Sequence, residues 1–155
     1  MAFGFDDKHA TSLLSPQLGP GERVLFRTRG VEKPWYSRVL SRFGSMFWRN
    51  YVVAATDQRL LFVQYGGMFG RFSPKKVDAI AWRDVDQAKL GWGVFNKNLS
   101  VKSDTRGFSK TVVLGRFWLK DNFSAAEGLV QTWTQTRGNT LPPTPFAGAL
   151  PSHAN

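Results

Sequence analysis

Between Glu22 and Trp118 apolar and polar residues alternate in short runs, the period of half-buried strands. In Glu22–Arg29, Val24, Phe26 and Thr28 fall on one face, and Arg23, Leu25, Arg27 and Arg29 on the other. This predicts a first strand with a basic outer face. Two apolar runs, Tyr51–Ala55 and Leu60–Val63, flank the polar break Thr56-Asp57-Gln58-Arg59 and predict a tight hairpin at the centre of the core. Gly66–Gly70 reads as a glycine-rich turn. Further strands are predicted around Val77–Trp82, over Asp84–Trp92 with Ala88, Leu90 and Trp92 on one face, over Asn96–Ser103 with Leu99 and Val101 inward, and over Lys110–Trp118.

Two stretches change the period. From Trp35, the apolar positions Trp35, Tyr36, Val39, Leu40, Phe43, Met46 and Phe47 step by ones and threes and share one helical face. Pro34 precedes them, where a helix start tolerates it, while Gly44 weakens the pattern. After the last strand, Phe123, Ala126, Leu129, Val130 and Trp133 follow the same spacing. Ser124 and Glu127 fit a capping box, with Asp121 or Asn122 as alternative caps, and Arg137-Gly138 fits a C-terminus. Met1–Ala10 reads as a loose arm, Ser12–Leu18 as a short helical turn and Gly19-Pro20-Gly21 as a breaker. The proline-rich tail, residues 139–155, is expected to be disordered.

At 155 residues the chain suits one domain, here residues 18–138 with an inserted segment at 33–50 and an arm at 1–17. Its net charge of +10 favours anionic partners: a lipid surface, an acidic protein patch or nucleic acid. The charge is concentrated, since Arg23–Arg49 holds seven basic residues against Glu32 alone. No cysteine is present, so disulfides and thiolate metal sites are excluded, as suits a reducing cytoplasm. The N-terminus lacks the apolar stretch of a secretory signal, and no apolar run approaches the ~20 residues of a membrane span. The expected location is cytoplasmic, with any membrane contact peripheral at the inner face.

Two local patterns carry a resemblance. Leu18-Gly19-Pro20-Gly21-Glu22-Arg23-Val24-Leu25 is similar to the "L-x-P-G-E-x-(V/I)-L" start of bacterial pleckstrin-homology and GRAM-like domains. Val53–Phe62 resembles their "(V/L)-x-x-T-(N/D)-x-R-(L/I)-(L/I)" hairpin, and Leu99–Ser103 their "(L/I)-x-(V/I)-x-(S/T)" strand. The resemblance implies a mainly β fold: a seven-stranded, partly open barrel of two near-orthogonal antiparallel sheets capped by one C-terminal helix. It also implies a candidate site in the β1–β2 connection, which contacts phosphoinositide headgroups in many pleckstrin-homology domains. Here that connection is longer and more aromatic than a minimal family loop.

Catalysis finds little support. His9 and His153 lie near the termini, no His/Asp/Glu cluster has metal spacing, and Gly66-Gly67-x-x-Gly70 lacks the Lys-Ser/Thr of a phosphate loop. Asp84 and Asp86 have simple partners in Arg83 and Lys89. No catalytic residue, metal or cofactor is expected. Candidate partner-binding residues are Arg27, Arg29, Lys33, Trp35, Arg38, Arg42, Phe43, Phe47 and Arg49. Aromatic side chains entering a headgroup boundary while arginines meet anionic lipid would make this an interfacial segment. The same residue types suit a protein interface in a larger assembly, or a helix packed on its own domain with its arginines exposed. Nucleic-acid binding through the β1 arginines ranks behind these.

Overall fold

The computed structural model describes residues 5–140, apart from 35, 37, 38, 40, 41, 44–47, 69, 70, 117 and 120. The elements run α1 (Asp7–Leu14), β1 (Val24–Glu32), β2 (Arg49–Thr56), β3 (Arg59–Met68), β4 (Arg71–Ala81), β5 (Gln87–Leu90), β6 (Asn96–Ser103), β7 (Phe108–Gly115) and α2 (Asn122–Thr140). The strands form one antiparallel sheet in the order β4-β3-β2-β1-β7-β6-β5, with β4 and β5 as its unpaired edges. The fold is the expected mainly β one, but the sheet is continuous rather than split in two, and it does not close.

The join between its halves is short. β1 pairs with β7 only at Gly30↔Leu114 and Val31↔Val113. A Cβ on Gly30 would come within 2.8 Å of the Leu114 side chain and 3.0 Å of Val112, so any larger residue here would force both to shift. Beyond the join the strands splay, and the buried Asn122 side chain fills the gap. Its Oδ1 accepts from the Arg29 N–H and the Thr28 hydroxyl, both at 2.7 Å. Its Nδ2 donates to the Arg29 and Gly115 carbonyls at 3.0 and 2.8 Å. One amide thereby completes the ladder and anchors the start of α2.

The central hairpin is buried on both faces. Tyr51, Val53, Ala55, Leu60 and Phe62 enter an inner core with Ile80, Leu99, Leu114 and α2. Val52, Ala54, Leu61, Val63 and Tyr65 enter an outer core with Phe5, Ala10, Leu13, Leu14 and Leu119. Burial on both sides explains the unbroken apolar runs. α2 packs closely on β1: a Cβ at Gly128 would lie within 2.4 Å of the Phe26 ring.

Several local expectations change. The supposed loose arm contains α1, capped by Asp6, whose Oδ1 accepts from the Lys8 and His9 amides. His9 sits on this helix with Nδ1 2.8 Å from Asp6 Oδ1. A register break between Val24 and Phe26 moves Val24 to the outer core, while Phe26 stays with the inner one. β3 runs on through Gly66 and Gly67, so the predicted turn begins later. Trp82 lies in a short 3-10 turn, its indole donating to the Thr56 carbonyl at 3.0 Å. β5 stops at Leu90, which leaves Trp92 outside the sheet. α2 begins at Asn122, not after Ser124, and passes Gly138 to reach Thr140. Glu127 pairs with Lys97 at 2.8 Å instead of closing a capping box.

The strongest polar device joins the lead-in of β1 to the hairpin turn. The Glu22 side chain is 1% exposed. Oε1 accepts from Arg59 Nε at 2.9 Å and from the Thr56 hydroxyl at 2.7 Å. Oε2 accepts from Arg59 Nη2 at 3.0 Å and the Gly19 amide at 2.7 Å. The Arg59 bonds, ahead of the other contacts, hold the Glu22 carboxyl down to about 2 from an ordinary 4.5. Because the folded value is depressed, the associated stability is complete above about pH 4.5 and is lost as pH falls towards 2. Glu22→Gln is therefore expected to cost about 3 kcal/mol at pH 7 by urea unfolding, the scale of breaking a buried pair. Its difference from wild type should shrink through that window and be nearly gone at its lower end. A difference that stays constant from neutral to acid pH would refute this role.

Candidate binding surface

The predicted site residues divide into two groups. Arg27 and Arg29 belong to the scaffold side. β1 is a central strand, and α1 reaches Arg27 on its outer face while Arg23 and Leu25 of the same face stay exposed. Arg27 Nη2 pairs with Asp7 at 3.0 Å, and its Nη1 donates to the Thr11 hydroxyl at 2.9 Å. Arg29 is 8% exposed, with its guanidinium 5.0 Å from the Phe5 ring centroid and 5.5 Å from that of Trp118. Phe5 stacks on Tyr65 at 4.4 Å. Burial pushes the Tyr65 hydroxyl up to about 12, with Arg29 pulling the other way.

The second group lies in the β1–β2 connection. Of its candidates, Trp35, Arg38 and Phe47 lie outside the described residues, as does most of the predicted helical face. Lys33, Arg42, Phe43 and Arg49 are described, and all four are exposed. Val39 and Phe43 stand out at 75% and 64% exposure. Both belong to the predicted apolar face, and neither is packed on the barrel. Lys33 Nζ sits 4.4 Å over the Trp48 ring.

A charge cluster clamps the base of this segment, where β1 ends and β2 begins. Glu32 pairs across the ladder with Arg49, at 3.5 Å between Oε2 and Nη1. The Tyr51 hydroxyl donates to the same Oε2 at 3.2 Å and accepts from Lys110 Nζ at 2.8 Å. Lys110 is 3.6 Å from Glu32 and 4.3 Å from the Tyr51 ring centroid. Burial, then the nearby Glu32 charge, raises the Tyr51 hydroxyl above its ordinary value. Glu32, the one acid of the basic stretch, is thus engaged by two cations and a phenol. The field leaving this end is positive.

Sequence reasoning missed two contributors. Lys110 joins the cluster across the fold, from β7, which no local pattern signals. Lys76 faces Gln64, itself paired with Tyr51, so β4 brings an exposed ammonium to the same end, 3.7 Å from Asp78. Among the described residues, no group of three or more His, Asp or Glu could hold a metal ion. No helix among them is long and apolar enough to cross a membrane.

A family model described as a bacterial PH domain matches residues 18–116, well over half of the chain. The chain belongs to the bacterial PH domain family. No curated protein sequence matches it. Among solved structures, this PH domain is similar to the hSac2 domain from the human phosphoinositide phosphatase Sac2. That match has a TM-score of 0.50 and 12% identity over 87% of this chain and 84% of the other. The likeness concerns the fold alone. The matched span holds the seven-stranded sheet and leaves α1 and α2 outside it.

The two groups of arginines should respond differently to mutation. Arg29→Ala is expected to lower stability by about 2 kcal/mol, because it removes a desolvated cation from between two rings. Arg42→Ala should change it by less than about 0.5 kcal/mol, as for an exposed position. Urea unfolding of both variants checks this; equal effects would contradict the division.

Proposed function

We propose that this PH domain is a non-catalytic adaptor that docks on an anionic membrane surface through its β1–β2 segment. The observation that carries the reading is the exposure of Val39 and Phe43 beside Arg42, on a segment rooted in a net basic cluster. Apolar side chains exposed together with cations suit the boundary between headgroups and acyl chains. The overall charge of +10 strengthens long-range attraction to such a surface. Lys33, Trp35, Arg38, Arg42, Phe43, Phe47 and Arg49 are the residues assigned to the contact. Each basic residue near an anionic leaflet contributes about 1 kcal/mol, so the arginines alone give reversible binding and the aromatics add hold. An acidic protein surface, or a neighbouring subunit taking the same segment, would use the same side chains.

Cosedimentation with phosphatidylglycerol vesicles separates these readings. Wild type should bind at low salt and release as salt screens the charges. Arg38→Glu/Arg42→Glu should weaken binding by about 30-fold or more, from the loss of about 2 kcal/mol. Wild-type binding that the double variant preserves would overturn the proposal. A wild-type chain that ignores vesicles would overturn it in favour of a protein partner.

A further inference from the structure

A second apolar surface lies away from this segment. Between β5 and β6, Trp92 is 90% exposed, Phe95 69% and Val94 50%. The loop is short and held in place. The Gly91 amide donates to the Asn98 carbonyl at 2.8 Å, and the Arg116 amide to the Phe95 carbonyl at 2.9 Å. Arg116 Nη1 reaches the Val94 carbonyl at 3.4 Å. A Cβ on Gly93 would lie 1.9 Å from the Asn96 carbonyl oxygen, so the turn closes tightly at Gly93. A fixed loop that presents three large apolar side chains to water marks an interaction site.

Beside this loop lies a cavity of about 760 Å³ between the N-terminal segment and the start of α2. Its wall combines Phe5, Trp118 and Phe123 with the acids Asp6, Asp7, Asp121 and Glu127, which outnumber the cations Lys97 and Arg116. That size is in the range that accommodates a bulky aromatic group. The rim already holds one ammonium, Lys97 against Glu127. The loop carries the complement of this wall: aromatic at its tip, with Lys89 at its approach and no acidic residue from Gln87 to Lys97. Gly93 and Lys97 themselves line the cavity, so the loop forms part of the rim.

We infer that a second copy of this chain supplies the match: Trp92 of each protomer enters the cavity beside the β5–β6 loop of the other. Loop and cavity adjoin, so a two-fold axis makes the contact twice, as closed dimers require. An anionic bilayer suits this face poorly, because the carboxylates around the cavity would be pressed against it. β1 leads into the proposed membrane segment, and the ladders place the β5–β6 loop beside the far end of β7, towards the start of β1. Pairing here leaves the β1–β2 segment free. One loop seated in one cavity makes a small contact on each side, so association in the micromolar range is expected.

Sedimentation equilibrium of the full chain from about 5 to 500 µM spans the range expected for so small a contact. Wild type should show a monomer–dimer equilibrium, and Trp92→Ala should weaken it at least tenfold with an unchanged circular dichroism spectrum. Arg38→Glu/Arg42→Glu should dimerise as wild type does, which separates this contact from the proposed membrane site. A wild-type chain monomeric throughout overturns the inference, as does a dimer that Trp92→Ala leaves intact. Trp92-dependent binding to neutral phosphatidylcholine vesicles by a monomer would assign the loop to lipid instead.

Discussion

The structure depends on one buried carboxylate. Glu22 takes two bonds from Arg59, one from Thr56 and one from the Gly19 amide, so a single side chain fixes both the lead-in to β1 and the turn between β2 and β3. Arg59 Nη2 also donates to the Gln17 carbonyl, and the Trp82 indole to the Thr56 carbonyl, which brings the chain just after α1 and the chain just after β4 to the same point. A buried ion pair adds little over a well-packed apolar substitute, but losing one partner strands the other charge. The two sequence patterns that mark the family are therefore halves of one device. The Pro-Gly-Glu lead-in supplies the carboxylate and the Thr-Asp-x-Arg turn supplies its donors.

With the hairpin pinned, the remaining elements cover its two faces. α2 closes the inner face, guided by Asn122 and by the absence of a side chain at Gly128. α1 closes the outer face and holds Arg27, while Phe5 and Trp118 enclose Arg29, so both arginines are structural cations. The β1–β2 connection takes no part in either core through its described residues Val39, Arg42 and Phe43. Scaffold and candidate site are thus separable: the buried charges sit in the first, the exposed basic and aromatic residues in the second.

The strand order, the central hairpin and the last helix were legible because burial imposes periodicity on their residues. Three features were not. Arg29 alternates as a surface residue should, and the rings of Phe5 and Trp118, distant in sequence, cover it. A signal for α1 existed in the Asp6 cap followed by Ala10, Leu13 and Leu14 on one helical face, but the capping partner is His9 rather than the usual Glu or Gln. Trp92 continues the alternation of Ala88 and Leu90, yet Gly91 and Gly93 end the strand around it, so pattern alone placed it inward. Lys110 reached the β1–β2 base by a pairing that no local spacing encodes.

The proposed membrane contact lies in residues 33–49 of the PH domain. Its most direct test is a titration of isotope-labelled chain with phosphatidylglycerol vesicles, followed residue by residue through amide signal loss. The account predicts that the earliest losses fall within residues 33–49 and spread next to Lys76 and Lys110. Early losses centred on α2 or on residues 91–95, with residues 33–49 unchanged, would contradict it.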